Sequence, residues 1–144
     1  LNGMADPRFW VWASQDPDGT PLDRIQIVKG WIEDGEQRSS VRDIACSGNR
    51  EPGANGRCPP TTAAVNLETC ERTGDEGART LQAAFTDPDY AEGQAAFSYA
   101  RVLENPTCHW TRRLANSAGT DQPDDVPATV SERGWSSPIW MNSP

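Results

Sequence analysis

At 144 residues, with 35% hydrophobic residues, 12 Gly and 12 Pro, the chain reads as one loop-rich domain over residues 1–144, long enough for a single core. Its 13 basic and 21 acidic residues give a net charge of −8, which repels a phosphate backbone, and no Lys/Arg cluster offers a local exception; this argues against nucleic acid as a partner. No apolar stretch approaches the roughly 20 residues of a membrane span, so no membrane insertion is expected, and six Trp with several apolar runs argue against disorder.

Taken in order, Phe9–Ala13 predicts a short buried strand, and Asp16-Pro17-Asp18-Gly19 a turn, because Pro presets φ and Gly accepts a positive one. Asp23–Ile32 is the clearest strand, with Ile25, Ile27 and Trp31 on one parity and Gln26, Val28, Gly30 and Ile32 on the other. Asp34-Gly35 then turns the chain into a partner strand over Ser39–Ala45. Between Cys46 and Cys58 the composition is almost pure loop. Ala64–Thr73 predicts another strand, Arg79–Thr86 a short strand or single helical turn, and Ala96–Glu104 a strand ended by Asn105-Pro106.

Residues 116–129, carrying Asp121, Asp124 and Asp125 with Pro at 123 and 127, read as a mobile acidic loop. Gly134–Met141 predicts a terminal strand that buries Trp135, Ile139 and Trp140 against the strand around Phe97, with Pro138 marking an edge or a bulge. About seven short strands without a long amphipathic helix predict an all-β fold. The expected form is an antiparallel sandwich, immunoglobulin- or fibronectin-like, with long loops.

Cys46, Cys58, Cys70 and Cys108 lack the close pairs that zinc sites and redox motifs use. Two disulfides and an oxidising compartment, periplasmic or secreted, are the simpler reading. Of the three connectivities, Cys46–Cys58 with Cys70–Cys108 is the one expected: the first closes the Gly/Pro-rich loop, the second ties a strand to the residues beyond 96–104.

Chemistry is sparse. The chain has one histidine, His109, read as capping the end of the 96–104 strand. Asp16-x-Asp18-Gly19 resembles a calcium loop but lacks the ligand alternation and closing Glu, so it reads as a plain turn. No nucleophile elbow, phosphate loop or dinucleotide motif occurs. Glu132, Arg133 and Arg101 read as structural ion pairs, and most Trp as core. No catalytic residue, metal ligand or cofactor site is assigned to this chain.

Three segments carry a family likeness: Arg24–Trp31, Ala96–Trp110 with its Asn105-Pro106-Thr107-Cys108, and Glu132–Trp140, with Asp87-Pro88-Asp89 between. From about Phe9 to Met141 the chain resembles the C-terminal region of a bacterial domain-of-unknown-function family, number 3604. It departs from the common pattern at His109, where Arg is expected, and at Gly134, where Ala is expected. The resemblance implies a preceding domain similar to the PHP metallo-phosphoesterases, with any metal held there and none carried over to residues here.

The chain begins at Leu1 rather than Met, and is expected to be a processed piece or fragment of a larger exported protein. The expected function is a non-catalytic accessory domain supporting an upstream catalytic domain or companion chain. Its possible interface or cleft residues are Trp31, Arg101, His109, Glu132, Arg133, Trp135 and Trp140. The alternatives are a stand-alone module binding sugar or peptide through exposed Trp, and a small independent hydrolase.

Overall fold

The computed structural model describes residues 6–141. Its centre is β2 (Leu22–Glu33), a run rich in β-branched and aliphatic residues. The two-residue turn Asp34-Gly35, with φ of 51° and 79°, returns the chain into β3 (Glu36–Cys46). Both turn residues need a left-handed backbone, which Asp tolerates and Gly adopts freely, so the hairpin takes the twist of its strands. On the other side of β2 lies β7 (Ala96–Glu104), antiparallel to it. The free edge of β7 is covered end to end by β10 (Arg133–Trp135) and β11 (Ile139–Met141).

These five strands form the main sheet. A ribbon of β1 (Arg8–Ser14) and β6 (Thr80–Thr86), strands far apart in the sequence, packs against β2 and β3 as a second layer. The architecture is therefore mostly β and antiparallel, as expected. Two small pairs complete it: β4 (Ala64–Val65) with β5 (Arg72–Thr73), and β8 (Thr107–Cys108) with β9 (Thr129–Val130). The one helix among the described residues, α1 (Trp110–Ala118), lies between β8 and β9. The core gathers Phe9, Leu22, Ile25, Ile27, Val28, Ala96 and Leu103.

Both expected disulfides are present, Cys46–Cys58 and Cys70–Cys108. The loop closed by the first is further fixed by charge. Arg50, 9% exposed, reaches Asp23 at 2.6 Å and Glu76 at 2.8 Å. Buried Asp43 accepts the Cys58 backbone N–H at 2.7 Å. A segment with almost no apolar residues is thus held by two carboxylates on the main sheet.

Three expected elements differ. Ala64–Thr73 is not one strand: the Asn66 side chain accepts the N–H groups of Glu68 and Thr69 at 2.8 and 3.2 Å, making a tight turn between β4 and β5. Gly134–Met141 is interrupted at Ser136-Ser137-Pro138. There the Ser136 hydroxyl accepts the Ala100 N–H at 3.0 Å, replacing a ladder bond that the bent backbone does not offer. Residues 116–118 belong to α1, which ends where Gly119 adopts φ 64°.

Glu76 accepts the Thr62 N–H at 2.6 Å, and this bond, assisted by the Thr62 and Thr61 hydroxyls and by Arg50, holds its carboxyl below the ordinary value. A folded-state pKa below the unfolded one stabilises the fold above the unfolded value and loses that effect as pH falls through the folded one. Wild type should therefore unfold at higher urea than Glu76→Gln near neutral pH, with the two midpoints converging in acid.

Candidate interaction surface

The ribbon's side of the main sheet is closed by a buried ion pair. Lys29 projects from the middle of β2, and its Nζ donates to Asp87, just past β6, at 2.6 Å. Ile27 and Lys29 share that face with Ala100 and Ser98 of β7. The opposite face has a different character. Register aligns Gln26, Val28 and Gly30 with Arg101, Tyr99 and Phe97 on β7, and with Asp43, Val41 and Ser39 on β3. Trp135 stands opposite Arg101 and Trp140 opposite Phe97, extending the same face to the sheet edge.

The result is an aromatic shelf. Phe97 and Tyr99 lie parallel within 5° at 6.3 Å, and Trp140 leans against Phe97 at 5.3 Å. Trp135 and Trp140 are 60% and 65% exposed. At one end the shelf falls into a cleft of about 630 Å³ lined by Gly30, Ile32, Phe97, Trp31 and Trp140. Gly30 seats the Phe97 ring: a Cβ there would lie 2.5 Å from it, so Phe97 rests on bare backbone. The polar end of the shelf is anchored, since Gln26 donates to Asp43 at 2.6 Å and accepts from Arg101 at 2.7 Å.

Three of the residues singled out from sequence, Arg101, Trp135 and Trp140, thus belong to this face. Trp31 contributes to the cleft, but its ring lies on the Lys29 side of the sheet, 5.6 Å from the Lys29 Nζ. The others lie elsewhere. His109 and Glu132 line a separate depression with Arg113 and Trp110, and Arg133 lines the one beside it with Glu104 and Asp18.

Two roles are corrected. His109 does not close the 96–104 strand; it N-caps α1, its ring accepting the Thr111 N–H at 3.4 Å. Arg101, Glu132 and Arg133 form no ion pair among the described residues, Arg101 bonding a neutral amide instead. Phe97, Tyr99 and Gly30 were not foreseen as site residues. Their signal was present: aromatics two apart on a strand share a face, and a glycine inside a strand marks close approach.

The expectation that most Trp are core is also overturned. Trp10, Trp12 and Trp110 are exposed as well, and Trp10 and Trp12 project together from the outer side of the ribbon, opposite Ala84 and Gln82. The Arg8 guanidinium sits 4.8 Å from the Trp10 ring. Among the described residues no group of three or more His, Cys, Asp or Glu is placed to hold a metal ion, and no helix is long and apolar enough to cross a membrane.

A family model described as "Protein of unknown function (DUF3604)" matches residues 2–143. The chain belongs to this DUF3604 family. Neither the curated proteins nor the solved structures include a match. Every described residue of this DUF3604 chain, in shelf and ribbon alike, lies within the family's span.

Gly30→Ala should collide with the Phe97 ring and displace it, at a cost of about 1–3 kcal/mol for overpacking. Urea unfolding followed by circular dichroism measures the cost. An accompanying change in near-ultraviolet dichroism would report the loss of the Phe97–Trp140 contact.

Proposed function

We propose that this chain is a non-catalytic accessory domain of an exported protein, and that it docks on a catalytic domain or companion chain through its aromatic shelf. The observation that carries the reading is the exposure of Trp135 and Trp140 beside Phe97 and Tyr99 on one sheet face. Contiguous apolar surface of this kind marks interaction sites, and aromatic residues with an Arg are the side chains that dominate interface energetics. The two disulfides support an extracytoplasmic setting, periplasmic or secreted. The motif resemblance supplies the class of partner, a PHP-like metal-dependent hydrolase domain whose active-site cleft this domain would wall or brace.

A second reading rests on a separate observation. Trp10 and Trp12 offer two exposed rings on one strand face with Gln82 beside them, an arrangement suited to stacking on a sugar or an extended peptide. Under that reading the ribbon, not the shelf, would be the working surface.

Hydroxyl-radical footprinting of the full-length protein separates the two. Trp10, Trp12, Trp135 and Trp140 are 76%, 69%, 60% and 65% exposed within this domain, so their intrinsic reactivity should be similar. The docking proposal expects Trp135 and Trp140 to be protected several-fold relative to Trp10 and Trp12. Equal modification of all four would contradict it, and protection of Trp10 and Trp12 on adding an oligosaccharide or peptide would favour the second reading.

A further inference from the structure

The main sheet ends in β3, and the outer edge of that strand is open over a defined length. Asp43 donates its backbone N–H away from β2, to Gly56 of the disulfide-closed loop, at 2.8 Å. Backbone groups alternate sides along an antiparallel strand, so Val41, Ser39 and Gln37 also point their N–H and C=O outward. No backbone partner for these three outward sets is found among the described residues. At the other end the hairpin turn stops the strand at Glu36. The free edge is therefore 36–42, closed by a loop on one side and a turn on the other.

This segment is complementary to itself. Laid antiparallel on a copy about Ser39, it sets Ser39 opposite Ser39 and Gln37 opposite Val41, so that all six outward N–H groups and all six outward C=O groups of the two strands meet. Between them Glu36 falls opposite Arg42 on both sides of the two-fold axis, a favourable cross-strand charge pair. Sliding the axis to Ser40 would instead oppose Arg38 to Arg42, and would set Gln37 against Asp43, whose N–H the loop already occupies. Arg42 is held by Asp89 at 2.5 Å, which fixes the cation near the edge.

We propose that a second copy of this chain pairs with β3 along residues 36–42, in antiparallel register about Ser39, joining two five-stranded sheets into one. Gln37 and Ser39 also line the cleft at the end of the aromatic shelf, but the pairing uses the backbone groups of the strand edge and not the shelf's rings, so it stands or falls independently of the docking reading.

Ser39→Pro is the sharpest probe. It removes an outward N–H without taking a bond from the β2–β3 ladder, which is where an edge strand tolerates Pro. Glu36→Arg is the second probe, because it sets like charges opposite each other. Sedimentation velocity of the protein should give a mass of two chains for wild type and one chain for each variant, with circular dichroism confirming that the variants fold. A wild type that sediments as a single chain, or a folded Ser39→Pro that keeps the dimer mass, would overturn the proposal. Were Ser39→Pro to misfold, retention of the dimer by Glu36→Arg would overturn it instead.

Discussion

The buried ion pair between Lys29 and Asp87 is the constraint on which the two-layer arrangement depends. Both side chains are 5% exposed, and the ammonium also donates to the Asp89 carbonyl at 2.8 Å. Removing two charges from water is expensive, so such a pair contributes little net stability compared with apolar residues of similar size. What it supplies is position. A lysine in the middle of the central strand accepts only a layer that brings a carboxylate to it, and Asp87 follows directly on β6. The Asp87 N–H in turn donates to the Pro7 carbonyl at 3.1 Å, which closes the start of β1 onto the same point. One short segment, Asp87-Pro88-Asp89, thereby fixes the ribbon over β2 and, through Arg42, over β3.

That placement decides the character of the other face. With the ribbon spent on the Ile27 and Lys29 side, the Gln26, Val28 and Gly30 side is covered only by what its own strands carry. Tyr99 stands opposite Val28 and Phe97 opposite Gly30, and Val28 is 8% exposed although the ribbon lies on the opposite side of the sheet. Both rings remain partly in water. An exposed aromatic surface and a buried central strand are thus two consequences of one packing choice.

Much of this was legible from residues. The alternation over Asp23–Ile32, the Asp34-Gly35 turn and the Ala96–Glu104 strand each rest on local chemistry, and each forms as read. The disulfide pairing followed from the loop composition between Cys46 and Cys58. The exposure of Trp was not legible, because a period of two tells which residues share a face but not which face another layer will cover. In β1 the smaller set, Phe9, Val11 and Ala13, turns inward and the two Trp turn out. The helix escaped notice for a different reason: its N-cap is His109 rather than Ser, Thr, Asp or Asn, so the usual starting signal is missing. The terminal strand paired with the expected neighbour but did not bury its side chains as expected: Trp135, Ile139 and Trp140 are 60%, 56% and 65% exposed.

A double-mutant cycle on Lys29 and Asp87 tests the central claim most directly, with stability read from urea unfolding by circular dichroism. Lys29→Met and Asp87→Leu should each cost about 3–5 kcal/mol, because each leaves an unpaired buried charge. The double variant should recover most of that loss, giving a coupling of several kcal/mol. Single variants that each cost under about 1 kcal/mol, as for an exposed pair, or losses that simply add in the double variant, would contradict the account.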